Sequence, residues 1–377
     1  MENPIYLDNS STTKPCEKAC VYINNALKEN WGNPSSLHSL GINAEILITK
    51  ARQTVAKSIG ALEEEIIFTG SGTEANNTAV MSVARSRKRK IITSVLEHPS
   101  VLEPVKRLEE QGFEVVRIGC DRNGIIDLAE LEKNLDSNTA LVSVMLVNNE
   151  VGSIQPIESI VKTVKRVSPS TFVHCDAVQG FGKEDINVKK LGVDLLTVSA
   201  HKVHGPKGVG ALYCKKDVKI PCFINGGGQE RGLRSGTEPV PLIAGFLGAV
   251  EELPNLKTQY EKMRELNTYA RERFLSSGFI EINSPKDASP YILNISVLGF
   301  RSETLLHYLE SKNIFVSSGS ACAKGETSYV LSALGLDRKH SDSALRISFS
   351  RYNTKEDIEL LLTALSGAVN TLRRSKI

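Results

Sequence analysis

The feature that most constrains the fold of this chain is the regular alternation of short apolar runs with amphipathic stretches. Segments 65–69, 90–94, 114–118, 140–146, 171–175 and 194–199 are rich in Val, Ile and Leu, while 101–111 and 157–167 carry helical spacing between them. Strands separated by helices run parallel, because each crossover returns the chain to the same edge of the sheet. The expected fold class is therefore α/β, with a large, mainly parallel sheet flanked by helices. Beyond Pro254 the pattern changes to a long charged helix at 255–275, an apolar run at 292–297, and helices at 303–312 and 355–373. This reads as a second, smaller α+β domain with its boundary near Pro254. No internal repeat or low-complexity segment interrupts it.

With 377 residues, 41% hydrophobic and 24% charged, the chain can bury a large core, and its net charge of +3 favours neither nucleic acid nor a membrane surface. The densest basic run, Arg85 to Lys90, reads as a solvated helix end. Residues 1–14 include Glu2 and Asp8 and lack the apolar core of a secretory signal, and no stretch is long enough to span a bilayer. Seven scattered cysteines, an odd number, suit a reducing, cytoplasmic compartment better than a disulfide framework. Cys16 and Cys20 have no second pair at metal-site spacing, so no metal is expected.

In sheets of this kind ligands sit beyond the carboxyl ends of the strands. After 65–69 comes Thr69-Gly70-Ser71-Gly72-Thr73-Glu74, a turn opening a helix. Its backbone N–H groups and Thr73 hydroxyl suit a single phosphate, or it is simply a well-capped helix start. It has neither dinucleotide nor Walker spacing. His98 follows the next strand, where an imidazole can stack on an aromatic ring or carry a proton. Asn148-Asn149-Glu150 follows 140–146. Asp176 and Gln179 follow 171–175, and Ser199-Ala200-His201-Lys202 closes the last run. An acid and a lysine on neighbouring strand ends are what a pyridinium cofactor requires, the acid at its protonated ring nitrogen and the lysine on its aldehyde as a Schiff base. Each alone also has a plain reading, as a helix cap or a solvated loop residue.

Downstream, the glycine-rich segment from Gly226 to Thr237 carries Arg231 and Arg234 and either lines an anion site or is a flexible loop. In the second domain, Val316-Ser317-Ser318-Gly319-Ser320-Ala321-Cys322-Ala323-Lys324-Gly325 places one cysteine among small residues, a setting that suits an exposed nucleophile better than a buried thiol. Arg346 lies in the strand-like run 344–350, where a guanidinium can grip a carboxylate.

With these motifs in this order, and with 6–13 and 32–38 at the start, the chain resembles the cysteine desulfurases of the fold-type I pyridoxal-phosphate enzymes, the aminotransferase class V group. The resemblance spans essentially the whole chain. It implies a large cofactor-binding domain at 15–254 and a small domain formed by 1–14 and 255–377. It implies pyridoxal 5'-phosphate held by Lys202, Asp176, Gln179, His98, Asn149, Gly72, Thr73, Ser199 and His201, with Thr237 reaching the phosphate of a neighbouring subunit in a homodimer. Asn33, Asn149 and Arg346 match substrate-binding positions, and Lys202, His98 and Cys322 catalytic ones. The implied reaction converts L-cysteine to L-alanine and leaves the sulfur as a persulfide on Cys322 for an acceptor protein in iron–sulfur cluster or thio-cofactor and tRNA synthesis. The Cys322 segment is about two residues shorter than in the housekeeping branch, a loss of roughly 7 Å of reach at ~3.3–3.6 Å per residue. This bears on how sulfur is handed on. A selenocysteine or cystine lyase, or an aminotransferase, would share the fold, and transamination needs no thiol. A catalytically weak partner that merely binds the cofactor as a platform is the remaining alternative.

Overall fold

The computed structural model describes residues 4–318 and 328–374. In chain order its strands are β1 (Ile5–Tyr6), β2 (Ile66–Thr69), β3 (Lys90–Ser94), β4 (Glu114–Ile118), β5 (Thr139–Met145), β6 (Phe172–Asp176), β7 (Leu195–Ser199) and β8 (Gly210–Cys214). Later come β9 (Glu281–Ile282), β10 (Ile292–Ser296), β11 (Ile314–Phe315) and β12 (Ala344–Ser348). The seven strands β2 to β8 form one sheet in the order β2-β8-β7-β6-β5-β3-β4. All its pairings are parallel except those of β8, which runs against both β2 and β7. The expected fold class holds.

These strands read as nearly continuous apolar runs because both faces of the sheet are covered. Ile91 and Leu141 pack with Val80, Val101 and Val105 from helices Gly72–Met81 and Pro99–Glu110. Their neighbours Ile92 and Val142 point the other way, into a cluster with Ile160, Val164 and Phe246. That alternation is the period of a pleated strand.

Two readings from the sequence are corrected. β8, with the sequence Gly-Ala-Leu-Tyr-Cys, was not among the expected strands, because its glycine start merges with the Gly205-Pro206-Lys207-Gly208 turn before it. The basic run is also not a helix end. The helix stops at Met81, and Lys90 starts β3 buried, paired with Glu114 at 3.2 Å and Asp136 at 3.1 Å.

A second, antiparallel sheet has the order β12-β10-β9. Helices Leu256–Ser276, Ser302–Glu310 and Lys355–Thr371 accompany it. The N-terminal strand β1 pairs in parallel with β11, and Asp8 bridges to Ser348 of β12. The chain then crosses to the large sheet, where Thr13 N–H donates to the His201 carbonyl at 2.9 Å.

Because β8 is reversed, β2 points the same way as β7, and the carboxyl ends of β2, β3, β5, β6 and β7 share one edge. Gly210 opens β8 at that edge, opposite both Thr69 and Ser199. A Cβ there would lie 2.7 Å from the Ser71 carbonyl carbon, and 2.9 Å from Gly72 N and from Val198 O. Those contacts are with backbone, which yields only by moving the turn. Gly210→Ala is expected to destabilise the fold by about 2 kcal/mol through overpacking. An unchanged urea midpoint by circular dichroism would refute this close approach.

Candidate active site

The shared strand edge opens on a cavity of about 230 Å³. Its lining includes His98, Asn149, Asp176, Gln179, Ser199, His201 and Lys202, with Gly72 and Thr73 from the turn after β2. The structure thus brings together nine of the residues singled out in the sequence.

Asp176 ends β6 and is buried. Its Oδ2 accepts from Asn76 Nδ2 at 2.7 Å and its Oδ1 from Val178 N–H at 3.0 Å. The second hydrogen of Asn76 Nδ2 goes to Ser100 Oγ at 2.8 Å. Ser100 Oγ is in turn 2.8 Å from His98 Nδ1, which also accepts from Ser100 N–H at 3.1 Å as the cap of helix Pro99–Glu110. Because Nδ1 accepts from the Ser100 N–H it carries no proton, so the Ser100 hydroxyl donates to it and the neutral His98 ring carries its proton on Nε2. Burial lowers the pKa of His98, and the Asp176 charge opposes that.

Lys202 closes a 3-10 turn directly after β7. Its Nζ donates to the carbonyls of Ser10 and Ser11 at 2.5 and 2.7 Å, two dipoles with no full charge between them. Burial pulls its pKa down to about 7, with Arg346 and Lys183 adding to the fall. A lysine in that state is ready to act as a nucleophile or base near neutrality. His201 beside it is pushed down to about 4, mainly by burial.

Arg346, in the middle of β12, sits at the margin of the cavity. Its Nη1 donates to the Asn149 carbonyl at 3.0 Å, and its Nη2 to Asp8 Oδ1 at 2.9 Å and Ser11 Oγ at 2.6 Å. Its Nε is buried without a partner among the described residues. Asn33 and Thr237 are exposed and lie outside the cavity lining of this single chain. Cys322 lies outside the described residues. The chain on either side of its segment is tied to the site: Ser317 exchanges backbone hydrogen bonds with Arg346, and Ser328 Oγ donates to Glu150 Oε2 at 2.5 Å.

The polar lining fits a small, polar, phosphorylated ring. Asn149 Oδ1, Gln179 Oε1 and Ser199 Oγ are buried without partners among the described residues, and a Cβ at Gly72 would meet Val178 Cγ2 at 2.9 Å. Unsatisfied buried groups of this kind, gathered around one cavity, are acceptors and donors waiting for a ligand.

The family model described as "Aminotransferase class-V" matches residues 5–361. This chain belongs to the class-V aminotransferases. Among class-V relatives, a "Cysteine desulfurase IscS" of Dictyoglomus turgidum is 40% identical over 381 residues, covering 99% of this chain and 96% of the relative. A solved structure titled "NIFS-LIKE PROTEIN" superposes with a TM-score of 0.93 at 40% identity, covering 98% of this chain and 100% of that one. Another, "SspA in complex with cysteine", has a TM-score of 0.82 at 33% identity and covers 93% of this chain and 99% of that one.

Several residues that shape this class-V site escaped the sequence reading. Asn76 and Ser100 are ordinary helix residues by type, and only the fold sets them between Asp176 and His98. Asp8, the partner of Arg346, is 338 residues away from it. Glu97 adjoins His98 and is fully buried, its Oε1 accepting from Ser94 Oγ at 2.5 Å and Met145 N–H at 2.9 Å.

Burial raises the Glu97 pKa from 4.5 to about 8. The folded chain therefore keeps a proton that the unfolded chain releases, and stability falls as pH rises between those values. Glu97→Gln, which mimics the protonated form, should lose this slope. Urea midpoints of the two proteins at about pH 5 and about pH 9 test it, and parallel pH dependence in both would rule it out.

Proposed function

We propose that this chain is a cysteine desulfurase that uses pyridoxal 5'-phosphate to convert L-cysteine to L-alanine and holds the released sulfur on Cys322. The observation that carries this reading is the meeting, in one cavity, of a desolvated Lys202 and the Asp176 carboxylate on neighbouring strand ends. The names of its class-V relatives support the same substrate.

Asp176 would hold the cofactor at its ring nitrogen, Gln179 at its ring hydroxyl and His98 over its ring face, while Asn149 offers a further ring contact. Gly72, Thr73, Ser199 and His201 would hold its phosphate. When bound, the cofactor supplies an electron sink that acidifies the α-carbon of an amino acid. Lys202 would be the residue that binds the aldehyde and moves the α-proton. Arg346 would grip the substrate carboxylate, with Asn33 and Asn149 as further substrate contacts. Cys322, as thiolate, attacks the substrate sulfur; the carbon–sulfur bond breaks, the carbon takes a proton, and alanine leaves a persulfide behind. With Nδ1 engaged by the Ser100 hydroxyl and N–H, His98 would exchange its proton at Nε2.

The same reading places the active unit in a homodimer, with Thr237 serving the neighbouring subunit's phosphate. The exposure of Thr237 and Asn33 supports it, as do Trp31, Leu37, Ile42 and Ile46, which present apolar surface at 66%, 95%, 49% and 61% exposure. We assign 15–254 to the large domain and 1–14 with 255–377 to the small one, supported by the β1 to β11 pairing and the Asp8 to Ser348 bridge. A cytoplasmic setting suits the six cysteines among the described residues, all of them free. No helix among the described residues is long and apolar enough to cross a membrane. The sulfur would pass to an acceptor protein in iron–sulfur cluster or thio-cofactor and tRNA synthesis.

The deciding assay measures alanine and sulfide from L-cysteine with a reductant present. Wild type should release both in equal amounts. Cys322→Ala should bind cofactor yet release no sulfide, and Lys202→Ala should lose turnover altogether. Sulfide release by Cys322→Ala at the wild-type rate would overturn the nucleophile. A second expectation follows from Lys202 at about 7. Uptake of pyridoxal phosphate by the cofactor-free protein, followed by absorbance, should quicken with pH and level off above about pH 8, well short of the ~10.4 of an ordinary lysine. A rate still climbing at about pH 9 would contradict the desolvated state.

A further inference from the structure

Lys183 lies in the turn after β6, where its side chain is 7% exposed. Among the described residues its ammonium has no hydrogen bond and no ion pair, and its contact is the ring of Tyr291, whose centroid is 5.6 Å away. A buried ammonium left in that state is costly, and such groups ordinarily acquire an anion. The nearest acid in sequence, Glu184, has its Oε1 taken by the Ser289 hydroxyl at 2.7 Å.

Lys183 lines a small cavity of about 30 Å³ that shares Lys202 with the larger cavity described above. Two further residues of that lining, Tyr291 and Gln259, have Oη and Nε2 buried without partners among the described residues. The remaining charged groups are already satisfied: Arg351 pairs with Glu252 at 2.5 Å, and Lys202 with two carbonyls. His204, held near 4 mainly by burial, is neutral and bonded through Nδ1 to the Lys14 carbonyl. Among the described residues no Asp or Glu lines the cavity.

We propose that this cavity is a binding site for one small monovalent anion of the halide or formate class, held by Lys183, Tyr291 and Gln259. An ammonium, a phenol hydroxyl and an amide N–H can all donate to such an ion. A water accepts from at most two of the three. A space of this volume admits about two water-sized spheres, which excludes a phosphate ester or an amino acid. Lys183 keeps most of its charge near neutrality even with burial drawing its pKa to about 8. The proposal does not depend on the reaction proposed above, although Lys202 lines this cavity as well.

The test uses the holoenzyme and chloride, with ionic strength held constant by gluconate, a carboxylate too large for the cavity. The melting temperature should rise saturably, by on the order of 3 °C at a chloride concentration 100-fold above Kd. Lys183→Met should abolish the rise, and Tyr291→Phe should weaken the chloride Kd by about tenfold, the loss expected for one hydrogen bond to an ion. A crystal soaked in bromide should show one anomalous peak beside Lys183. An equal chloride response in Lys183→Met, or ordered water with no bromide at that point, would overturn the site. Should Lys183→Met fail to fold, the bromide map and Tyr291→Phe decide the matter.

Discussion

The structure turns on a lysine ammonium brought out of water with no hydrogen bond to a carboxylate among the described residues. Lys202 rests on two carbonyl oxygens, those of Ser10 and Ser11, and faces the positive charge of Arg346. Dipoles compensate a charge only partly, so the protonated state is weakened and the neutral amine becomes accessible near neutral pH. Everything around it serves that balance. The N-terminal segment must thread between two sheets to present those carbonyls, and it is fixed there by Thr13 on one side and Ser348 on the other. Arg346 must be held near without collapsing onto Asp176, and Asp8 and Ser11 hold it.

The same exclusion of water acts on the acids. Glu97 and Glu150 are pushed up to about 8 and about 7 by burial, so the region around the cavity sheds charge of both signs. Asp176 lies in the cavity wall itself and accepts one N–H at each carboxylate oxygen.

Much of this was legible in the sequence because strand ends are legible. Continuous apolar runs mark β3, β5, β6 and β7, and the polar residue that follows each run falls at the sheet edge by construction, so His98, Asn149, Asp176 and Lys202 could be named before the fold was seen. β8 was not legible, since a strand that begins with glycine after a Gly/Pro turn looks like more turn. Asp8, Asn76, Ser100 and Lys183 were invisible for another reason. Their roles are set by contacts between distant segments, and neither periodicity nor residue type records which segments will meet.

The antiparallel return of β8 bears on how the site comes into being. Lys202 lies in the connection between β7 and β8, two strands adjacent in sequence, so its own turn can form from local contacts at little loop-closure cost. Its surroundings cannot, because the carbonyls of Ser10 and Ser11 lie 192 and 191 residues upstream, and the segment that carries them is pinned by a strand near residue 348. On a ribosome the lysine hairpin and the Ser10–Ser11 segment would both emerge long before the strand near residue 348 that pins that segment. Reactivity at Lys202 is therefore withheld from the growing chain until nearly all of it has been made.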